Sequence, residues 1–278
     1  MRRLSPRSRT ERAPDPAAAS LHATAVIDPR AELDAGVEVG PFAVVGSRVR
    51  IARGTRIGAH AVIEGPTQIG ADNRIFPHAV LGGAPQDRRY GGEPTSLVVG
   101  ARNEIREFVT LNRGTVHGNG TTVIGDGCIL MSSSHVAHDC VLGDGVILAS
   151  GVLLAGHVEV GDHAVFGGLA AVGQMLRVGE SAMVAAGAMV ERDVPPFHTV
   201  SGDRARLRAL NLVGLERRGL EPDAIRGLEE AHRMIFRSGV PVQEAILAAR
   251  ERLGHVAEVA RLLDFIAASK KGICSRGR

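Results

Sequence analysis

Aliphatic residues recur at every sixth position through most of this chain. Leu21, Ile27, Leu33, Val39, Val45, Ile51, Ile57, Ile63, Ile69, Ile75 and Leu81 form the first run. Val99, Ile105 and Leu111 form the second. The third starts at Ile124 and steps in sixes through Leu130, Val136, Leu142, Leu148 and Leu154 to Val190, with Phe166 its only non-aliphatic member. A period of six is out of phase with an α-helix, whose apolar face recurs at about 3.6 residues. A simple antiparallel sheet would need a turn signal between runs. Six is natural when each hexad makes one short strand and one corner, so that three hexads close a triangular coil of 18 residues. The key aliphatic then points inward. A small residue four places later, such as Ala25, Ala31, Val37, Ala43, Thr55, Ala61 or Thr67, fills the corner. Coils stack at ~4.8 Å, and each inward Val, Leu or Ile contributes roughly 1.5–3 kcal/mol when fully buried. One coil buries little, so stability comes from stacking. A core tiled this way needs few rings, and the aromatic fraction is 3%, with no Trp and one Tyr, Tyr90.

Two segments break the period. GGAPQDRRYGGEPTS, 82–96, is read as taking the places of two missing hexads, because Leu81 to Val99 is still 18 residues. A second segment between Leu111 and Ile124 contains NRGTVHGNGTT and shifts the frame by one. Loops thrown out of a rigid scaffold are where function tends to sit. After Pro195-Pro196 the spacing becomes helical. It predicts helices over Arg204–Arg218, from Asp223 with Ile225, Leu228, Ala231, Ile235 and Phe236 on one face, from Pro241 to Arg252, and from His255 to Ser269. Gly219, Gly239 and Gly254 act as stops. The expected organisation is a disordered tail over 1–20, a mainly β parallel β-helix over 21–196, and an α-helical domain over 197–278 that frays after Lys270.

Net charge is +3 with a pI of about 9.1, and five Arg fall in the first twelve residues. No basic stripe interleaves with aromatics, so no nucleic-acid partner is expected. Cys128, Cys140 and Cys274 are an odd, sparse set that suits a reducing, cytoplasmic compartment. Cys128 and Cys140 fall at the small inward position, which is a packing role. No apolar stretch is long enough to span a bilayer, and the N-terminal residues lack the apolar core of a signal peptide.

His138 sits two places after the inward Val136, where the wall turns, so it should point outward. His157 follows Leu154, one coil later, on the same wall. A hydroxyl is a poor nucleophile and needs a base with a pKa near neutrality, which histidine supplies. Asp139 adjoins His138 and would orient its ring. His60, His78, His117, His163, His198, His232 and His255 carry no motif and read as structural.

QDRRYGGEPT (86–95), SSHVAHDCVLGD (133–144), LAGHVEV (154–160), RDVPP (192–196) and NLVGLERRG (211–219), in this order, resemble the UDP-N-acetylglucosamine O-acyltransferases of lipid A biosynthesis. The resemblance runs from about residue 21 to 272. It implies a left-handed coil, an exception to the usual crossover hand. It also implies a homotrimer with sites between subunits, acyl carrier protein as donor, UDP-N-acetylglucosamine as acceptor, and neither metal nor other cofactor. By the same resemblance His138 takes the proton from the sugar 3-hydroxyl and the Gly156 N–H holds the oxyanion. Asp87, Arg89, His135, His157 and Gln174 would contact sugar or diphosphate, and Asn211 and Arg217 the nucleotide. Ala186 would limit acyl length: it follows Val184, eight hexads from Val136, which is read as the same wall. Arg89 stands where the family has Lys, Asn112 and Gly173 where it commonly has His, and Val213 where it has an acidic residue. These departures raise N-acylation of a 3-amino analogue as an alternative. A zinc carbonic anhydrase on the same repeat, with His135, His138, His157 and His163 as raw material, is the other.

Overall fold

The computed structural model describes residues 18–275. The tail expected over 1–20 therefore lies almost wholly outside the described residues, and Ser20 already begins a strand.

Each hexad forms a strand of two to four residues, and every third hexad stacks in one of three walls. The first wall opens with Ser20–Leu21, the second with Val26–Ile27 and the third with Glu32–Leu33. Registers advance by one coil: Leu21 pairs with Val39, Ile27 with Val45 and Leu33 with Ile51, all parallel. The key residues from Val39 to Val190 are buried, whereas Leu21, at the end of the stack, is 50% exposed. At most corners the third residue after the key aliphatic takes a left-handed backbone, as in Phe42, His60, Asp139 and His157, with φ of 57–62°. That conformation costs a non-glycine residue roughly 1–2 kcal/mol, which the stacked neighbours offset.

The small position after each corner is inward and fully buried at Val37, Ala43, Ala61, Cys128 and Cys140. One file of these positions is polar, which the periodicity did not reveal. The Asn73 N–H donates to Thr55 Oγ1 at 3.2 Å, the Asn103 N–H to Asn73 Oδ1 at 2.9 Å, and the Cys128 N–H to Asn103 Oδ1 at 2.6 Å.

The first loop does not replace two hexads. Leu81 pairs with Ile63 on the second wall, but Val99 pairs with Ile69 on the third. The intervening residues are an insertion from a single corner. The second loop leaves the next corner of the same column, since Leu111 pairs with Val136 on the second wall and Ile124 with Leu142 on the third. The two insertions thus leave the two successive corners that stack before the one carrying His138.

The helix expected over 204–218 is shorter. Arg206–Leu210 is a strand, antiparallel to His198–Ser201, which itself continues the first wall. The open edge of that wall offers unpaired backbone groups, and satisfying them outweighs a helical pattern of apolar residues. Helix α1 then covers Leu212–Arg217, α2 Pro222–Phe236, α3 Val242–Leu253 and α4 Ala257–Ala267. Leu228, Ala231, Ile235, Ile246, Ala249, Leu262 and Ile266 form their shared core, which Phe197 joins. The segment after Lys270 is not frayed through Ser275. The Asp193 N–H donates to the Gly272 carbonyl at 3.0 Å, the Cys274 N–H to the Asp193 carbonyl at 2.7 Å, and Ser269 Oγ to Asp193 Oδ2 at 2.8 Å. Among the described residues no helix is long and apolar enough to cross a membrane.

Candidate active site

One column of corners, between the second and third walls, gathers most of the expected residues. From the N-terminal side it carries the two loops, then His138 and Asp139, then Gly156 and His157, then Gln174 and Met175. His138 Nδ1 lies 2.9 Å from Asp139 Oδ2, with the His138 side chain 13% exposed and Asp139 fully buried. A carboxylate can only accept, so the ring carries its proton on Nδ1 and leaves Nε2 as the free base.

Asp139 is fixed by the second loop. The Thr115 N–H donates to its two oxygens at 3.0 and 3.1 Å, and Thr115 Oγ1 donates to Oδ2 at 2.7 Å. The Asp139 N–H donates to Thr122 Oγ1 at 2.8 Å. Burial pushes the Asp139 carboxyl up, but the bonds from Thr115 and His138 and the nearby His157 outweigh it and hold the carboxyl below its usual range. Gly118 lets the loop come this close, because a Cβ there would lie 2.4 Å from Asp139 Cγ. Thr115, Gly118 and Thr122 were not anticipated from sequence. The insertion between Leu111 and Ile124 marked their loop, but nothing in it marked its partner.

Gly156 stacks on His138. A Cβ at Gly156 would meet Cε1 at 2.6 Å and Nε2 at 2.8 Å, so only glycine admits the ring. Its N–H finds no acceptor among the described residues. His157 stands edge-on to His138 with centroids 5.0 Å apart, and its Nε2 is 3.8 Å from Asp139 Oδ2. His135 is on the adjoining wall, its Nδ1 2.7 Å from Thr110 Oγ1. Burial and the neighbouring His138 push its pKa down, so it is neutral near pH 7. In the first loop Arg89 grips Asp87, Nη2 to Oδ2, at 2.7 Å. That pair holds the Asp87 carboxyl far below its usual range.

Three expected residues lie elsewhere in the chain. Asn211 caps α1 by accepting from the Gly214 N–H at 3.2 Å and donates to the Ser181 carbonyl at 3.0 Å, at the corner between the third and first walls. Arg217, on the same helix, is exposed, while Arg218 is tied to Ser181 Oγ at 2.6 Å. Ala186 follows Val184, which pairs with Phe166 on the first wall, so it does not share the wall of Val136. Eight hexads are not a multiple of three, and Ala186 turns the corner between the first and second walls. His163 is at the corner between the third and first walls, away from His138.

His138, Asp139 and His157 hold ligand-type atoms within 4.8 Å of one another. The carboxylate is already engaged by Thr115 and His138, and the set contains two imidazoles rather than the three a carbonic anhydrase of this fold requires. The cysteines offer no nucleophile. Burial pushes the Cys140 thiol up to about 12 and Cys128 to about 11.

A left-handed parallel β-helix with a His–Asp pair at one corner under two loops defines a hexapeptide-repeat transferase. The six-repeat bacterial transferase hexapeptide family matches residues 121–156. The second domain of the UDP-N-acetylglucosamine O-acyltransferase family matches residues 193–274. An acyl-[acyl-carrier-protein]–UDP-N-acetylglucosamine O-acyltransferase of Trichlorobacter lovleyi is 56% identical over 258 residues, 92% of this chain and 99% of its own length. That of Thermodesulfovibrio yellowstonii is 46% identical over 254 residues, covering 91% and 98%. The enzyme structure from Acinetobacter baumannii superposes with a TM-score of 0.88 at 38% identity, covering 91% of this chain and 98% of that one. The chain belongs to the UDP-N-acetylglucosamine O-acyltransferase family.

Proposed function

We propose that this enzyme transfers a (3-hydroxy)acyl chain from acyl carrier protein to the 3-hydroxyl of UDP-N-acetylglucosamine, the first step of lipid A biosynthesis. The observation that carries the reading is the His138–Asp139 pair, with Gly156 pressed against the ring. His138 Nε2 takes the proton of the sugar 3-hydroxyl as its oxygen attacks the thioester carbonyl. The Gly156 N–H donates to the oxyanion. The intermediate collapses, the C–S bond breaks, and the carrier thiolate leaves with the proton from His138. Asp139 stays anionic throughout and stabilises the imidazolium formed on the way. Because the relatives named above are O-acyltransferases, the 3-amino and carbonic anhydrase alternatives are not favoured.

The working unit is a homotrimer in the cytoplasm. Asp87, Arg89, His157 and Gln174 share the column of corners that carries His138, with His135 on the adjoining wall, but Ala186 and Asn211 lie at the other two corners and Arg217 on α1. A second copy is needed to bring the three corners to one substrate. Exposed apolar side chains lie on the second wall and its two flanking corners in the later coils, at Leu153, Leu169, Met175 and Met189. They supply a surface for that contact. Ala186, near the last coil, then limits the acyl chain. Initial rates with acyl carrier donors of defined length against UDP-N-acetylglucosamine and its 3-amino analogue test the proposal. Transfer to the hydroxyl is expected, and a strong preference for the amine would contradict it.

A further inference from the structure

Beside the His138 corner lies a cavity of about 520 Å3, within the size range of ligand sites. Asp139 and His157 form one side, Asn119 from the second loop another, and Lys270 and Lys271 close it from the C-terminal segment, with Glu159 on the adjoining wall. These are the only two lysines in the sequence; every other permanently cationic side chain is Arg. They reach the cavity because the segment is pinned to the last coil. The backbone bonds of Asp193 with Gly272 and Cys274 hold it, and Gly272 makes the turn with φ of 72°.

The charges around this cavity are unevenly engaged. Asp139 is saturated by Thr115 and His138. Asp193 is held by Arg177 at 3.2 Å and by Ser269 at 2.8 Å, and Arg177 also donates to the Phe265 carbonyl at 3.0 Å. Among the described residues neither lysine makes an ion pair or a hydrogen bond, and both are exposed. Glu159 is the one anion left unpaired opposite two ammonium groups. An ammonium is a compact point charge with three rotatable donors, which suits a phosphate approached from the side.

We propose that Lys270 and Lys271 form an anion subsite for the phosphate of a co-substrate whose reacting atom lies at His138. The inference rests on the acyl-transfer reading and deepens it. Both co-substrates carry phosphate. In the sugar nucleotide half a pyranose ring and one ester oxygen separate the 3-hydroxyl from the first phosphorus. In the donor the phosphate lies at the far end of the pantetheine arm. The cavity touches Asp139 and His157 directly, so the short reach favours the diphosphate of the acceptor.

The test uses the full-length enzyme and the paired substitutions Lys270→Ala/Lys271→Ala and Lys270→Arg/Lys271→Arg. The alanine pair is expected to raise the KM for UDP-N-acetylglucosamine about tenfold or more, the scale of a lost charge-assisted hydrogen bond. Turnover should change less than about twofold, and the arginine pair should restore most of the KM. A rise confined to the carrier-protein KM would support the phosphate subsite and assign it to the pantetheine arm. Unchanged KM values for both co-substrates would overturn it. Amine acetylation followed by mass spectrometry gives a readout independent of turnover. UDP alone should slow modification of both lysines, and equal rates with UDP, with holo-carrier protein and with neither would refute the subsite. If the unmodified enzyme transfers no acyl group, the acyl-transfer reading fails, while lysine protection by UDP still reports on the subsite.

Discussion

Histidine meets two different fates in two columns of corners of one β-helix. Between the first and second walls Phe42, His60, His78 and Phe108 stack face to face, with centroids 5.0 to 5.1 Å apart and planes within 15°. Each sits at the left-handed corner position and touches its counterpart one coil away. Between the second and third walls His138 sits one residue earlier in its turn, and the left-handed position is Asp139. Its ring therefore meets a buried carboxylate, and touches the His157 ring edge-on rather than face to face. The scaffold supplies a rigid outward site at both corners. A neighbour that fixes the tautomer turns one of them into a base, and the loops that leave this corner hold that neighbour in place.

Removing the carboxylate should break the distinction most sharply. Asp139→Asn is expected to lower kcat/KM about 100-fold or more, since the free nitrogen is no longer set at Nε2. It should also destabilise the fold by about 1–3 kcal/mol, because the Thr115 donors lose an ionised acceptor. Steady-state rates and chemical denaturation measure the two effects, and near-normal activity would mean that the pair is ornamental.

Gly156→Ala keeps the base and moves it. A methyl at 2.6 Å from His138 Cε1 must displace the ring, and a shift near 1 Å can cost about 100-fold in rate. The KM for UDP-N-acetylglucosamine should rise less than kcat falls.

A third histidine environment sharpens the contrast through stability. His198 is fully buried, with Nδ1 at 2.6 Å from the Pro196 carbonyl and Nε2 at 3.0 Å from His232 Nδ1. Burial pushes its pKa down to about 3. The folded state thus binds its proton more weakly than the unfolded chain, so stability is full above the ordinary histidine pKa and falls with pH below it. Between pH 7 and 5 this one group should cost about 2 kcal/mol. Denaturant titrations at the two pH values measure it, and His198→Phe should flatten the dependence.

The smallest effect belongs to the first corner. Ala186→Gly should shift donor preference toward longer acyl chains and Ala186→Met toward shorter ones. The expected bias is about fourfold per methylene, from ~0.8 kcal/mol of burial. Unchanged length profiles in both would put the limit elsewhere.

The coil was legible because an inward Val, Ile or Leu every sixth residue is a packing requirement that sequence displays directly. So was the site's nucleus, since His138, Asp139, Gly156 and His157 follow inward residues on one wall. The shared origin of the two loops was not. The 18 residues from Leu81 to Val99 match a full coil by count, although they are one hexad step with a large insertion. Thr115 and Gly118 gave no signal, because what they contact is set by the loop's return path. The strand Arg206–Leu210 read as helix because its leucines, three apart, have helical spacing; the open edge at His198–Ser201 pairs it instead, and a register irregularity there lets both leucines be buried. Lys270 and Lys271 looked like a solvated tail because their segment is held by backbone bonds to Asp193, which leave no pattern in side-chain type.

The central claim is that His138 acts as the base because of its corner, and a paired measurement tests it most directly. The initial rate of acyl transfer and the melting temperature are compared for His138→Ala, His60→Ala and the unmodified enzyme. Both rings project outward from corners of the same β-helix, so neither change should move the melting temperature by more than a few degrees. The account predicts that His138→Ala abolishes transfer while His60→Ala keeps most of it. Substantial turnover in folded His138→Ala, or equal losses in both variants, would contradict it.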